Sequence, residues 1–209
     1  FDGTISSSIG LLSSLTSLDL SNNILLHGII PESLYLLTNL KELYLFKNSL
    51  YGTISPKIGN LDSITKFHIS HNKFTGTIPN EFKSDELNLL SNNIRLLFFN
   101  NNTLSGTIPM ELHALTKLEK LNIQQNQLSG SLSPELISSW TKLTIASFGN
   151  NFFTGSIPSE MLTNWSSIKT IGLENNLMTG TLPEIVLSSS TSTLEKISIE
   201  KNLFTGTIP

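Results

Sequence analysis

A glycine that recurs at a nearly constant interval is the feature that most constrains how this chain folds. It belongs to an apolar-x-Gly-x-Ile/Leu unit, and successive copies lie 24 to 26 residues apart except for one interval of 30. The glycines are Gly3, Gly28, Gly52, Gly76, Gly106, Gly130, Gly155, Gly180 and Gly206. A period of this length means that each repeat is one structural unit, which buries its apolar face against its neighbours. The chain is therefore expected to form a stack of similar coils.

A second motif, L-x-x-L-x-L-x-x-N with related apolar residues, precedes the glycine unit in eight copies. In its L-x-L part the two apolar residues lie two positions apart, so they point to the same side of a strand and the residue between them faces outward. The asparagines that end the copies are Asn23, Asn48, Asn72, Asn102, Asn126, Asn151, Asn176 and Asn202. The motif predicts one strand per coil, all lining one face.

The asparagine is predicted to form a structural ladder through the stack. Its amide both donates and accepts hydrogen bonds, so it can pair with backbone groups where the chain turns inward. Beyond it, the segment from Phe74 to Ile78 reads as a second short strand that Pro79 closes. Residues 110–115 suit a short helix or 3₁₀ turn on the outer side, after Pro109.

Together the motifs read L-x-x-L-x-L-x-x-N-x-L-x-G-x-I-P and resemble the plant-type leucine-rich repeat family, which includes receptor-like proteins and polygalacturonase inhibitors. The resemblance implies an α/β repeat solenoid: a right-handed superhelix with a concave parallel β-sheet, a second short sheet and outer 3₁₀ or short helices. It also implies a secreted or cell-surface protein that binds a protein, peptide or glycan, by recognition or adhesion, without a cofactor.

Residues 1–209 are expected to form a single array of about eight repeats of 24–25 residues. The cysteine-paired caps of the family are absent, and the chain starts and stops inside repeat units, so we expect an array truncated at both ends. The long interval places an insertion near residues 83–91. We interpret it as a loop or extra helical turn on the outer side, with a partner-docking loop as the alternative.

Composition excludes several classes of function. Charged residues make up 14% of the chain and the net charge is −3, so the basic surface that nucleic-acid binding requires is missing. No apolar run is long enough to span a bilayer, which predicts no membrane insertion by this segment. There is no cysteine for a disulfide or a thiolate metal site. No histidine pairs with a nucleophile in a recognisable catalytic motif, so we expect no enzymatic activity.

The candidate ligand-binding site is a group of aromatic residues on the predicted concave face. Tyr44, Phe46, His68 and Phe98 take outward positions on neighbouring strands, and His71 is close by. Strands lie about 4.8 Å apart, so these side chains would form one patch, suited to stacking on a sugar or anchoring a protein. Cross-strand packing without a ligand is the alternative. A metal site at the two histidines lacks a carboxylate ligand.

A hydroxyl ladder is predicted on the second sheet. Its pairs flank the glycine in six coils: Thr75/Thr77, Ser105/Thr107, Ser129/Ser131, Thr154/Ser156, Thr179/Thr181 and Thr205/Thr207. A regular ladder on a flat sheet resembles the surface of ice-binding solenoids, whereas serine and threonine also suit any exposed strand.

Two sequons, at Asn101 and Asn164, are candidate acceptors for N-glycans in a secreted protein. Asn164 is expected on the outer side, and Asn101 at the edge of the concave face. Ligand recognition is thus the leading hypothesis. There are three alternatives. The first is a structural part of a larger assembly, such as a cell surface, a wall or a filament. The other two are an ice-binding protein and the ectodomain of a receptor-like kinase.

Overall fold

The computed structural model describes residues 1–82, 93–183 and 193–207. Within these residues short strands alternate with short helices, and the strands form two sheets whose pairings are all parallel. The predicted α/β repeat solenoid is confirmed by this architecture. The predicted insertion near residues 83–91 lies outside the described residues.

The larger sheet holds one three-residue strand from each of eight successive coils. Its strands, numbered along the chain, are β2 (Ser17–Asp19), β4 (Glu42–Tyr44), β6 (Lys66–His68), β8 (Leu96–Phe98), β10 (Lys120–Asn122), β12 (Ile145–Ser147), β14 (Thr170–Gly172) and β15 (Lys196–Ser198). We number the coils 1 to 8 in this order. The middle residue of each strand points inward, as in Phe67 and Leu97, which are fully buried. This alternation is what the L-x-L motif predicts.

The smaller sheet holds seven strands within the described residues. They are β1 (Asp2–Thr4), β3 (Leu25–Gly28), β5 (Ser49–Thr53), β7 (Lys73–Gly76), β9 (Thr103–Gly106), β11 (Gln127–Ser131) and β13 (Phe152–Thr154). The repeat glycine has a left-handed backbone here, with a φ of +79° at Gly106, and a Cβ added there would come within 2.9 Å of the Thr77 methyl of the preceding coil. Glycine is therefore required for both conformation and space.

Short helices return the chain along the outer side. The 3₁₀ helices are Ser7–Leu11, Glu32–Leu36, Pro56–Asn60, Asn80–Phe82 and Met110–Ala114, and the α-helices are α1 (Pro134–Ser138) and α2 (Glu160–Thr163). Helix α1 begins with a capping hydrogen bond. Ser133 is its N-cap and accepts a hydrogen bond from the Leu136 amide at 3.2 Å, while Pro134 occupies the first turn, where no backbone donor is needed.

The core is a continuous stack of apolar side chains that runs along the coils. Phe67, Phe82 and Phe99 pack edge-on or tilted in neighbouring coils, with ring centroids 5.8 to 5.9 Å apart. Trp140 and Trp165 are fully buried on the outer side. Their indole N–H groups donate to the carbonyls of Leu112 at 2.9 Å and Ile137 at 3.0 Å, so each links its coil to the preceding one.

The ladder asparagines form the hydrogen bonds that join consecutive coils. At Asn126 the amide nitrogen donates to the carbonyls of Phe99, Ile123 and Gln124 at 3.1 to 3.3 Å, and the amide oxygen accepts from the Leu104 backbone at 3.0 Å. The same pattern recurs at Asn102, Asn151 and Asn176.

The residue before each ladder asparagine has a left-handed backbone, which the sequence analysis did not anticipate. Its φ lies between +52° and +59° in all eight coils: Asn22, Lys47, His71, Asn101, Gln125, Asn150, Asn175 and Lys201. Half of these residues are asparagine, which tolerates this conformation better than most. The turn from the larger sheet to the smaller one is made at this position.

Candidate functional site

The outward residues of the larger sheet form two parallel rows across the coils. Pairing in register aligns Asp19, Tyr44, His68, Phe98, Asn122, Ser147, Gly172 and Ser198 in the first row. The second row, two residues further along each coil, is Ser21, Phe46, Ser70, Asn100, Gln124, Gly149, Glu174 and Glu200. The first row is aromatic in coils 2 to 4 and consists of small or amide residues from coil 5 onward.

Four of the five residues predicted for the aromatic patch are in contact. The rings of Phe46 and His68 are stacked with centroids 4.2 Å apart, and Phe98 meets His68 edge-on at 4.9 Å. Tyr44 lies edge-on to both Phe46 and His68, at 6.5 and 6.3 Å. All four side chains are half-buried. The patch is therefore a packed aromatic cluster with part of its surface open, and we call these four residues the aromatic cluster.

His68 is the centre of the aromatic cluster. Its Nε2 is 2.6 Å from the hydroxyl of Ser70, two residues further along coil 3 and just beyond β6. Burial, and next the proximity of His71, lower the pKa of His68 from 6.5 to about 4, although Asp19 opposes the shift. The imidazole is thus neutral at pH 7 and acts as an uncharged part of the surface.

His71 is close to the aromatic cluster but makes no ring contact with it. It is exposed in the left-handed turn, at a φ of +54°. Its Nε2 lies 3.4 Å from the side-chain nitrogen of Asn101, which occupies the same turn position in coil 4. His71 therefore lies on the rim of the larger sheet beside the first sequon.

An ion pair lies on the side of the aromatic cluster away from His71. Lys66 Nζ is 2.8 Å from a carboxylate oxygen of Glu42, at the first position of strands β6 and β4. The hydrogen bond from Lys66 lowers the pKa of Glu42, and the same bond raises the pKa of Lys66. Both side chains are partly exposed, so the pair sets a local charge pattern and contributes little stability.

Three outward positions in coils 6 and 7 are buried, although the alternation of the strands predicts exposure. They are Ser147, Gly149 and Gly172. The side chain of Glu174 lies over the two glycines: a Cβ added at Gly149 would collide with its carboxylate, and one at Gly172 would lie 3.1 Å from its Oε2. Glu174 is not among the candidate residues that the sequence pattern indicated. The sequence signal for this arrangement was the presence of a glycine at an outward position in both coil 6 and coil 7.

The predicted hydroxyl ladder occupies the surface of the smaller sheet. In the row before the repeat glycine, Thr75, Ser105, Ser129, Thr154 and Thr205 each donate to a glycine carbonyl of the preceding coil at 3.3 to 3.4 Å. In the row after it, methyl groups such as that of Thr77 lie against the next repeat glycine. The ladder thus makes contacts between coils as well as presenting hydroxyls to solvent.

The two sequons occupy different surfaces. Asn164 ends helix α2, and its Oδ1 accepts a hydrogen bond from the Thr163 hydroxyl at 3.1 Å. Asn101 is in the turn beside the larger sheet, and the hydroxyl of Thr103 in its sequon donates to the Phe74 carbonyl at 2.9 Å. Both asparagine side chains are half-buried.

Neither a metal-binding cluster nor a membrane-spanning helix occurs in the described part of the chain. No three His, Asp or Glu side chains in residues 1–82, 93–183 and 193–207 are grouped so that they could hold a metal ion. Over the same ranges, no helix has the length and apolar character needed to cross a membrane.

Comparison with protein families finds matches to the Leucine Rich Repeat family. They cover residues 14–37, 39–61, 63–84 and 117–139. Among curated proteins, Receptor-like protein 39 of Arabidopsis thaliana is 34% identical over 133 residues, which are 64% of this chain and 14% of that protein. The chain therefore spans about a seventh of the length of this relative.

Comparison with solved structures finds similar folds over the whole chain. The Arabidopsis receptor kinase HAESA, solved in complex with the peptide hormone IDA and a co-receptor, matches with a TM-score of 0.90 and 33% identity. The match covers 100% of this chain and 33% of the HAESA chain. A plant ice-binding protein matches with a TM-score of 0.71 at 23% identity, over 100% of this chain and 71% of that chain. Because the identity is only 23%, this match is evidence for a shared fold and for nothing further.

Proposed function

We propose that this chain, which belongs to the plant-type leucine-rich repeat family, is a non-catalytic recognition module that binds a peptide or protein outside the cell through its aromatic cluster. The observation that carries the proposal is the cluster itself. Tyr44, Phe46, His68 and Phe98 are held by their mutual contacts on a rigid sheet, yet each keeps part of its surface open. Ordered aromatic side chains of this kind lose little entropy on binding and serve as anchors at interfaces.

A peptide or protein suits this geometry better than a sugar does. A sugar stacks on an open aromatic face, but the stacked faces of Phe46 and His68 are occupied by each other. The cluster offers ring edges and the partly open rings of Tyr44 and Phe98, which fit an apolar side chain. HAESA, which matches the whole chain in fold, was solved with a bound peptide hormone, and this supports the same class of ligand here.

The experiment is a binding comparison with a double variant. Peptides are selected from a random library on the purified chain, and their affinities are measured for the wild type and for Tyr44→Ala with Phe98→Ala. We expect the double variant to weaken binding by at least about tenfold, because truncation of an interface anchor costs more than about 1.4 kcal/mol.

The matched control removes one tyrosine and one phenylalanine from the other sheet. Tyr51 and Phe152 are 50% and 52% exposed on the smaller sheet, so Tyr51→Ala with Phe152→Ala has the same composition change. Unchanged affinity in the Tyr44 and Phe98 variant, or an equal loss in the control, would exclude the aromatic cluster as the binding site. A glycan panel tested in parallel decides the ligand class.

Three other functions make different predictions. An ice-binding protein would inhibit ice recrystallisation, and Thr179→Leu with Thr181→Leu would abolish that inhibition. A structural component would assemble with itself or with wall material and would tolerate loss of the aromatic cluster. A receptor-like kinase would carry its kinase elsewhere in the gene. The packed aromatic cluster favours recognition, because neither ice binding nor assembly accounts for it.

A further inference from the structure

We infer that the larger sheet carries a second subsite, centred on Glu174 in coil 7, which binds a cationic group of the ligand, namely an arginine or lysine side chain. This inference rests on the proposed function, since it divides the same face into an apolar subsite and an acidic one. It predicts that the ligand is an extended peptide with an apolar residue and a basic residue at a set distance.

The subsite is a hollow formed by residues without bulky side chains. Gly149 and Gly172 take the outward positions of coils 6 and 7, and Ser147 lies beside them. The space left free holds the carboxylate of Glu174, which leans over Gly149 of the preceding coil. Every coil from 2 to 5 has a larger side chain in the first outward row than coils 6 and 7 have.

The carboxylate in the hollow is not paired. Its Oε2 atom is buried and accepts no hydrogen bond. Among the described residues the four ion pairs engage Glu32, Glu42, Glu119 and Glu195, and none includes Glu174. A carboxylate oxygen withdrawn from water without a donor is costly, and a charged donor would relieve that cost. Glu200, the next residue in the same row, adds a second negative charge.

Glu174 is only half-buried, so a ligand on the open side of the sheet can reach the side chain and supply a donor to its carboxylate. A guanidinium or ammonium group carries several N–H donors and the opposite charge, and guanidinium also matches a carboxylate geometrically. A small metal ion is a poorer fit, since the described residues contain no group of three His, Asp or Glu side chains to hold it.

The distance between the two subsites sets the distance between the apolar and the basic residue of the ligand. The carboxylate of Glu174 leans over coil 6, so it lies two to three strand steps from Phe98 in β8. At about 4.8 Å per step this is about 10–14 Å, which an extended peptide spans in about three to four residues. Asn122 and Gln124 of coil 5 lie between, where their amides can bond to a peptide backbone.

Labelled synthetic peptides test the inference directly. Each peptide carries one phenylalanine, a spacer of two to six glycine or serine residues, and then either arginine or its neutral isostere citrulline. Affinities for the intact chain are measured by fluorescence anisotropy at low and at high salt. We expect arginine to bind about tenfold to a hundredfold more tightly than citrulline at the matching spacer, with the preference reduced at high salt.

Two variants test whether Glu174 causes the preference for arginine. Glu174→Gln keeps the shape of the side chain, and we expect it to reduce or remove the preference for arginine over citrulline. Gly149→Ala displaces the carboxylate without changing any charge, because the added methyl collides with it. Gly149→Ala should therefore also reduce the preference for arginine over citrulline. Glu135→Gln, an exposed glutamate of helix α1, is the control that changes charge equally on the outer side.

The outcomes separate this inference from the proposed function. If peptides bind and depend on Tyr44 and Phe98 but do not distinguish arginine from citrulline, the acidic subsite is wrong and the aromatic site stands. If arginine is preferred equally in Glu174→Gln and in the wild type, the subsite is also wrong. If neither these peptides nor library peptides bind, both proposals fail.

Discussion

The imidazole of His68 stacks on the ring of Phe46, with centroids 4.2 Å apart and planes inclined by 19°. The two residues come from neighbouring coils that the repeat period brings side by side, although 22 positions separate them in the chain. Their contact converts a titratable residue into part of an apolar surface, because a stacked, half-buried imidazole favours its neutral form.

The titration of His68 makes stability depend on pH. Its pKa falls from 6.5 in the unfolded chain to about 4 in the folded one, so the unfolded chain binds more protons between these values. The contribution of His68 to stability is complete above pH 6.5 and is lost as the pH falls toward 4. Thermal unfolding across this range should show a smaller decrease for His68→Leu than for the wild type.

The control for this pH effect is the exposed outer histidine His113, whose ring nitrogen contacts the Met110 carbonyl. His113→Gln removes one histidine from the other side of the coils, and the pH dependence of its unfolding is compared with that of His68→Leu. A His68→Leu variant with the same pH dependence as the wild type would show that His68 is not the group responsible.

Removal of one ladder asparagine should destabilise the fold. Asn126→Ala leaves the Leu104 amide and the carbonyls of Phe99 and Ile123 short of a partner in the interior. We expect a loss of about 1–3 kcal/mol in the free energy of unfolding, measured with urea. Asn60→Ala, at an exposed position, should change it by less than about 0.5 kcal/mol. Equal effects of the two substitutions would contradict the structural role of the ladder.

The two kinds of glycine in the chain should respond differently to alanine. Gly106→Ala places a side chain at a φ of +79° and against the Thr77 methyl, so it should cost at least about 1–2 kcal/mol. Gly149 has no positive φ, and the atoms nearest to an added Cβ all belong to the movable carboxylate of Glu174. Gly149→Ala should therefore keep the melting temperature close to that of the wild type, and a large decrease there would refute the described hollow.

The left-handed turn position offers a stabilising substitution. Gln125 adopts a φ of +54°, a conformation that asparagine tolerates better. Gln125→Asn should raise the free energy of unfolding by up to about 1 kcal/mol and the melting temperature by about 2–4 °C. Gln124→Asn, one residue earlier and outside the left-handed set, should give no increase; a rise in both variants would point to another cause.

Sequence predicted most of the candidate site because the repeat converts chain position into spatial position. Once Leu43, Phe67 and Leu97 are assigned to the same inward position, Tyr44, His68 and Phe98 must be neighbours on the outer surface. The same reasoning placed His71 close by, but its side chain makes no ring contact, because the turn at that residue directs it toward the rim.

By itself the sequence determined the period, the two parallel sheets, the ladder of asparagines and the rows of outward residues, since each follows from residue types at fixed spacing. Only the tertiary structure decided which outward residues are open. Glu174 covers Gly149 and Gly172, and Phe46 shields His68, because side chains from adjacent coils compete for the same space. The sequence pattern predicts the direction in which a side chain points. Its burial and its hydrogen-bond partners depend on how neighbouring side chains fill the surrounding volume.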